Sequence, residues 1–450
     1  MSDRLISSIK VDGLFGLYNY ALPAQGEFEE AAILYGDNGV GKSTILRLAF
    51  HLLSAANDRG HRNALYEAEF QSIQVLLTSG VLLSARRKLD ILSLSIEEDD
   101  ELIVVWNYKP KVTGESSSDY LLQFADGKVI EIPKKRTDVK SKLYGQQAYL
   151  RTLEMSAPNL FILNAERKLA SDSVADPSDE VELRKIMRFE DNRHLRDITT
   201  RSRQIGLSQA LNNTSKWIAK KALQGANEGN TNVHAVYNQV LHHLMLPANS
   251  QSSEDLSNTS ELLQRLPLIE SRTNELARYE LATPLSVSEF KKALSTRSPE
   301  KRSLAAALLN PYIESIEGRL RAVDQIYELV HKFVGTINSF LSDKTIEFKV
   351  GSGFSLINRK GVPLDPSQLS SGEQQLLLLF CYVLTARDRP TAFMIDEPEI
   401  SLNIKWQRQL VQSLLNITEG AQIQFIFASH SLELLSQHRT RVIKLENYGG

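Results

Sequence analysis

The chain has 450 residues, 42% hydrophobic and 24% charged, with a formal net charge of −2. That length holds two or three domains of ordinary size, and the near-neutral balance excludes nucleic-acid binding through a global basic field, leaving only local patches. The single cysteine, Cys381, excludes an internal disulfide, suits a reducing cytoplasm, and lies in an apolar run where it reads as core rather than as a nucleophile.

Residues 7–14 read as a first strand and residues 30–35 as a second, buried one. Gly36-Asp37-Asn38-Gly39-Val40-Gly41-Lys42-Ser43-Thr44 follows, matching G-x-x-x-x-G-K-[ST], and opens a helix with Ile45, Leu46, Leu48, Ala49, Leu52 and Leu53 on its apolar positions. Strand, glycine-rich loop and helix in that order are the context a P-loop requires. Glycines let successive N–H groups turn toward a phosphate, and the helix N-terminus adds positive potential. Lys42 is placed to reach the β- and γ-phosphates of ATP, and Ser43 to ligate Mg²⁺.

Residues 71–109 hold short apolar runs, Gln74–Leu77, 81–83, 92–96 and 102–106, separated by turn or charged residues, and predict a small antiparallel sheet beside the nucleotide strand. Residues 120–132 predict a hairpin through Asp126-Gly127. Two basic clusters, Arg86-Arg87-Lys88 and Lys134-Lys135-Arg136, read either as solvated sheet edge and loop or as a surface for phosphate backbones. Leu160-Phe161-Ile162-Leu163 is a further buried strand ending in Asn164-Ala165-Glu166-Arg167.

From about 180 to 343 the pattern is helical, with breaks expected at 224–230 and 249–258. Ile313, Ile316, Leu320, Val323, Tyr327, Val330, Val334, Ile337 and Leu341 form an a/d seam of about four heptads. Pro311 marks its start or a kink. Leu262, Leu266, Ile269, Thr273 and Leu276 could supply an antiparallel partner, giving either a coiled-coil-like arm or a packed helical subdomain. Strand pattern returns at 344–358.

Three motifs follow. Ser370 stands as N-cap of a strongly apolar helix with Glu373 three residues on, a capping box that doubles as a phosphate site. Asp396-Glu397 ends the apolar run 392–395, where two carboxylates are costly without a cation or a reacting water. Asp396 is expected to hold Mg²⁺ and Glu397 to polarise the attacking water. His430 ends the apolar run 425–428, in position to sense a γ-phosphate.

In this order the motifs resemble ABC-type ATPases of the SMC/RecF/OLD-like branch: Walker A at 36–43, signature at 369–375, Walker B at 391–397, D-loop at 401–403 and switch histidine at 430. Ser371 and Glu373 depart from the transporter form L-S-G-G-Q toward the S-G-E of SMC-like proteins. Asn164, with Gln146 and Gln147 behind it, stands where the Q-loop glutamine belongs. Asp-Glu-Pro-Glu-Ile-Ser-Leu-Asn and Asn-Ala-Glu-Arg are similar to ATPase subunits of bacterial anti-phage systems, the PtuA of Septu and retron systems and the AriA of PARIS.

The resemblance implies an α/β P-loop NTPase head with a mixed sheet and an antiparallel β subdomain, built from 1–165 and 344–450, with a helical, coiled-coil-like insertion at 166–343. It implies ATP and Mg²⁺ as ligands, with Asn38, Gly39, Gly41, Lys42, Ser43 and Thr44 on the nucleotide and Ser43 and Asp396 on the metal. It assigns catalysis to Lys42, Glu397 and His430. Ser370 and Gly372 would complete the site of a second head, giving an ATP-dependent homodimer or a higher ring.

The nine histidines form no metal-ligand spacing, His242-His243 reads as an ordinary surface pair, and a short stretch follows His430. A separate nuclease or toxin is therefore expected as effector. No signal peptide or membrane-spanning run is read, so a cytoplasmic protein away from membranes is expected. The competing expectations are a stand-alone DNA-repair or chromosome-handling ATPase and a structural scaffold that uses ATP only to assemble.

Overall fold

Alternating apolar residues at the amino terminus become antiparallel strands, and the uninterrupted apolar runs become parallel ones. A computed structural model describes residues 5–57, 59–110, 121–123, 129–131, 144–164, 169–171, 192–230, 254–400 and 402–448. The Asp126-Gly127 turn, Lys134-Lys135-Arg136, Ala165-Glu166-Arg167, His242-His243 and Ser401 lie outside the described residues.

The chain divides into two units, Met1–Gly206 with Gln374–Gly450, and Leu207–Glu373. The division puts residues 344–373 with the helices, where the sequence reading had joined them to the nucleotide head.

In the first unit, β1 (Ile6–Leu14) and β2 (Tyr18–Leu22) form a hairpin. Next come β3 (Ala31–Tyr35), α1 (Lys42–Leu53) and α2 (His61–Glu67). A meander of β4 (Ser72–Leu77), β5 (Val81–Lys88), β6 (Ile91–Glu98) and β7 (Glu101–Tyr108) joins the hairpin in one sheet, ordered β2-β1-β4-β5-β6-β7. Alternate residues of β4 and β6 are buried, as in a sheet with one face on the core. Arg86, Arg87 and Lys88 lie within β5, paired with β6, and not in a loop or at a sheet edge.

β8 (Leu121–Gln123) and β9 (Val129–Glu131) pair antiparallel. α3 (Tyr144–Ser156), β10 (Asn159–Leu163), β11 (Leu169–Ser171) and α4 (Asn192–Asn230) follow. α4 runs through 224–230, where a break was expected: Ala222 and Ala226 help a helix, and Gly225 packs so closely that a Cβ would lie 2.6 Å from the Ala322 carbonyl oxygen.

The second unit continues with α5 (Glu254–Ala277), α6 (Ser288–Leu294), α7 (Pro299–Phe340), the hairpin β12 (Lys344–Lys349) and β13 (Gly353–Asn358), and β14 (Pro363–Leu364). α5 begins at Glu254, so 254–258 is helix and not part of a break. α7 starts well before Pro311, which sits inside it, with Pro299 at its first turn. The seam residues Ile313, Ile316, Leu320, Val323, Tyr327, Val330, Val334 and Ile337 are all buried.

The partner helix corresponds to the expected one, but its direction does not. Arg265 meets Glu317, Arg272 meets Asp324 and Tyr279 meets His331, each pair 52 residues apart. Residue numbers rise together along both helices, so α5 and α7 are parallel. The reason lies in the connection. Leu285 N donates to Thr273 Oγ1 and Val287 N to the Glu270 carboxylate, so the chain doubles back along α5 before α7 begins.

The chain re-enters the first unit along α8 (Ser371–Thr385), then forms β15 (Thr391–Asp396), α9 (Ile404–Thr418), β16 (Ile423–Ala428), α10 (Leu432–Gln437) and β17 (Val442–Lys444). The second sheet is ordered β11-β10-β15-β16-β3-β17, parallel except at β11. Every residue of β15 and β16 is buried, as a parallel sheet covered on both faces demands. Gln424, buried in β16, bonds the backbone N–H and carbonyl of Ile6 at 2.9 and 2.8 Å, tying the two sheets together. No described helix is long and apolar enough to cross a membrane.

Candidate nucleotide site

The strand order places the motifs side by side. The P-loop leaves β3, Ser429 and His430 leave β16, Asp396 closes β15 and Asn164 follows β10, all at the carboxyl edge of neighbouring parallel strands. Such an edge is where open α/β sheets bind ligands.

Gly39 and Gly41 have φ of 87° and 96°, a left-handed conformation that side chains disfavour. At Gly41 the requirement is also steric: a Cβ would lie 2.5 Å from Leu14 and 3.3 Å from the Phe15 ring. Asn38 and Gly39 form the exposed crest, and Thr44 is half-buried in the first turn of α1. Gly41 caps α1 with no side-chain bond to its free N–H groups. Lys42 is buried, its ammonium donating to the carbonyls of Gly36 and Asp37 at 2.7 and 3.0 Å. Tyr20, which the sequence reading did not single out, donates its hydroxyl to the Val40 carbonyl at 3.0 Å and braces the loop from β2.

Ser43 Oγ donates to Asp396 Oδ1 at 2.7 Å. Burial drives the Asp396 carboxyl above the usual aspartate range, against the Ser43 hydrogen bond and the positive charges of Arg47 and Lys42. A hydroxyl and a buried carboxylate lacking a full counter-charge are hard oxygen donors that fit Mg²⁺.

Glu397 has φ of 50°, rare for a residue with a side chain and typical of strain held at functional positions. Its N–H donates to the Ala428 carbonyl at 2.8 Å, fixing the turn to β16. Burial, then the neighbouring Glu399 carboxylate, pushes the Glu397 carboxyl up to about 7, with His430 opposing. His430 Nδ1 lies 2.5 Å from Glu397 Oε2 and 3.4 Å from Glu399 Oε1. Donor atoms of Glu397, Glu399 and His430 all fall within 4.8 Å of one another, a cluster that linear histidine spacing could not reveal. The doubled carboxylate of Asp396-Glu397-Pro398-Glu399 was the available signal for Glu399.

Ser370 and Gly372 belong to the second unit, where the expected capping box forms. Glu373 N donates to Ser370 Oγ at 3.3 Å, and Ser370 N to Glu373 Oε2 at 2.6 Å. Lys344 clamps the Glu373 carboxylate at 2.8 and 3.0 Å. Burial alone would raise the Glu373 carboxyl; Lys344 and the Ser370 bonds outweigh it and hold the group below the ordinary range. In the D-loop segment, Asn403 caps α9 by accepting from Trp406 N at 2.9 Å. Gln146, a Q-loop alternative, instead donates to Asn57 at 2.6 Å from α3.

Arg87 is committed inside the first unit. Its guanidinium donates to the carbonyls of Tyr66, Ala68 and Phe70. A cavity of about 1090 Å³ opens at the opposite, amino edge of β10 and β15, beside Asn159 and Thr391 and away from this constellation.

The curated relatives include the Molybdenum import ATP-binding proteins ModC of Escherichia coli (strain K12) and Shigella flexneri, each 37% identical over 82 residues, 18% of this chain; the chain spans only 22% of their length. Among solved structures, the Smc head domain with an extended coiled coil bound to the C-terminal domain of ScpA, from Pyrococcus furiosus, is 14% identical with a TM-score of 0.34, covering 96% of this chain and 91% of that one. The Smc head domain with a coiled coil and joint from Pyrococcus yayanosii is 13% identical with a TM-score of 0.33, covering 96% and 93%. A family model described as "AAA domain, putative AbiEii toxin, Type IV TA system" matches residues 31–436. That span takes in the P-loop, Asp396, Glu397 and His430, and the chain belongs to this AAA-domain family of ATPases.

Proposed function

We propose that the chain hydrolyses ATP in a site completed by a second copy, and uses that cycle to control a separate effector protein. The observation that carries the reading is the Ser43–Asp396 pair at 2.7 Å, with Glu397 and His430 on the adjoining strand ends. Lys42 and the backbone of Asn38, Gly39, Gly41 and Thr44 bind the phosphates. Ser43 and Asp396 hold Mg²⁺, which when bound neutralises charge on the phosphate oxygens. Glu397 takes the proton of the attacking water, a role worth about 10²–10⁴-fold. Its raised range suits a base at neutral pH. His430 contacts the γ-phosphate, and Asn164, at the end of β10, stands in for the Q-loop residue.

Ser370, with Gly372 in the first turn of α8, offers a hydroxyl and helix N–H groups to the γ-phosphate bound by the other copy. Each charge-assisted bond there contributes about 1.5–3 kcal/mol, enough in sum to convert a weak dimer into a closed one. The family description, in which the AAA domain is itself the "putative AbiEii toxin" of a type IV toxin–antitoxin system, supports a setting with a partner protein. The separate effector rests on the resemblance to ATPase subunits of anti-phage systems. The lone buried cysteine is consistent with work in the cytoplasm.

Glu397→Gln should bind ATP, lose turnover and sediment as an ATP-dependent dimer; wild-type turnover would remove Glu397 from the role of base. Mixing Lys42→Ala with Ser370→Arg chains should restore part of the activity, since one intact composite site re-forms. Absence of rescue at every mixing ratio would show that the site is not shared. Mass spectrometry of tagged Glu397→Gln chain isolated with ATP from its native host separates the outputs. A single stoichiometric protein supports the effector reading, whereas DNA without protein supports a repair ATPase.

A further inference from the structure

We propose that Glu399 is a positioning residue for hydrolysis, fixing the His430 loop and selecting which imidazole nitrogen faces the nucleotide. The proposal rests on the roles given to Glu397 and His430 above.

Glu399 is 9% exposed, on the turn after β15. One of its oxygens, Oε1, accepts from Ser429 Oγ at 2.7 Å, from His430 N at 3.0 Å and from Ser431 N at 3.0 Å. A single carboxylate oxygen thus holds three consecutive residues of the loop that follows β16. Gln407 on α9 reinforces the join. Its side chain accepts from Ser431 Oγ at 2.7 Å and donates to the carbonyls of Leu402 and Glu399 at 2.9 and 3.4 Å. The turn carrying Glu397 and the loop carrying His430 therefore behave as one braced element.

The other oxygen, Oε2, is buried with no hydrogen-bond partner among the described residues. A buried carboxylate beside a second carboxylate is costly, and a loop anchor alone could be a neutral amide. The charge has a further effect on His430. Nδ1 is turned toward Glu397 and Glu399, at 2.5 and 3.4 Å, while the side chain remains 55% exposed. The bond made by one ring nitrogen sets the state of the other. With Nδ1 donating to the carboxylates, Nε2 is the nitrogen left facing away from them. It can donate to a γ-phosphate in the imidazolium form, where both ring nitrogens carry protons. Glu399 touches neither nucleotide nor water in this scheme and acts through His430.

The test is a double-mutant cycle on the full chain, with kcat, KM, thermal midpoint and the dissociation constant of a non-hydrolysable ATP analogue measured for each variant. Glu399→Ala and His430→Ala should each lower kcat by about 10–100-fold, with the analogue constant of Glu399→Ala within about two-fold of wild type. The combined variant should be no more than about two-fold worse than His430→Ala alone, because both changes remove the same contribution. Glu399→Gln, which keeps an acceptor oxygen for the loop but loses the charge facing Nδ1, should keep the wild-type thermal midpoint and recover only part of kcat. Full recovery of kcat would reduce Glu399 to a loop anchor. Ser429→Ala, which deletes one of the three donors, should fall between Glu399→Gln and Glu399→Ala. It serves as the folding-safe probe if Glu399→Ala is unstable.

Multiplicative losses in the double variant, or an analogue constant that weakens in step with kcat, overturn the positioning role while leaving the ATPase reading intact. An unchanged kcat in His430→Ala instead removes the role of His430 itself, and the proposal with it.

Discussion

The carboxyl edge of the parallel sheet and the face between α5 and α7 both set carboxylates against donors, to opposite ends. At the sheet edge the groups are buried and over-determined: Glu399 Oε1 alone holds three donors, and Asp396 sits on Ser43. Between the helices the pairs are half in water and recur every heptad, Arg265 with Glu317 and Arg272 with Asp324, above an apolar seam. Burial makes the first set a device for geometry, since removing one partner strands another. Exposure makes the second a device for register, since water replaces a lost partner cheaply. The helical unit should accordingly draw its stability from Val330, Phe333 and Ile337, and the site its activity from polar atoms that hold one another in place.

The largest effects should separate the regions cleanly. Phe333, fully buried in α7, should cost the helical unit about 3–5 kcal/mol when changed to alanine. Turnover per folded molecule should change little below the new unfolding temperature. Lys42→Ala should do the reverse, lowering turnover by roughly 10²–10³-fold through lost charge stabilisation. Its thermal midpoint should hold, because the Gly36 and Asp37 carbonyls it releases lie close to solvent at the loop crest. Calorimetry and steady-state ATPase assays on both variants decide the matter; a Lys42→Ala protein that melts like Phe333→Ala would dissolve the distinction.

The same contrast explains what could be read from the sequence. The P-loop, the Asp396-Glu397 strand end and the Ser370–Glu373 capping box are local, so residue type and spacing carry them. The direction of α5 against α7 is not local. Both helices show a seam compatible with either pairing, and the choice falls to residues 278–298, whose return along α5 rests on Thr273 and Glu270 accepting from Leu285 and Val287. Arg87 looked available for a phosphate, but its three carbonyl partners come from residues 66–70, brought close only by sheet formation. Tyr20 and Gln407 belong to no motif, and Glu399 lies inside Asp-Glu-Pro-Glu without a role of its own there; all three gain meaning only from what stands opposite.

A smaller effect probes burial behind the P-loop. His51, on α1, faces His61 Nδ1 to Nδ1 at 2.9 Å, and His61 Nε2 lies 3.0 Å from Ser54 Oγ. Burial, then positive charge on His61, Arg47 and Arg62, pushes His51 down to about 3 from its ordinary 6.5. The folded chain keeps His51 neutral where the unfolded chain would protonate it. Its contribution is therefore full above about 6.5 and is lost as pH falls from there toward 3. Between pH 7 and 5.5 the first unit should lose about 1 kcal/mol. Urea unfolding across that range should show the slope in wild type and a flatter one in His51→Gln.

The smallest effect should come from the ladder. Arg272 meets Asp324 at 2.8 Å and Glu275 at 2.7 Å, with its guanidinium 4.4 Å from the centre of the Tyr327 ring. Its side chain is 27% exposed and Asp324 38%, so solvent screens the pairs. Arg272→Met should keep most of the packing on Tyr327 and cost less than about 1 kcal/mol, a deficit that shrinks further in high salt as the wild-type pairs are screened. Arg272→Asp, facing Asp324 and Glu328 at one level of the ladder, should cost more than Arg272→Met, because like charges oppose this register in particular. A loss in Arg272→Met approaching that of Phe333→Ala would make the ladder a source of stability. Equal small losses in both variants would leave register to the apolar seam, and the parallel direction of α5 and α7 would then rest on the 278–298 connection alone.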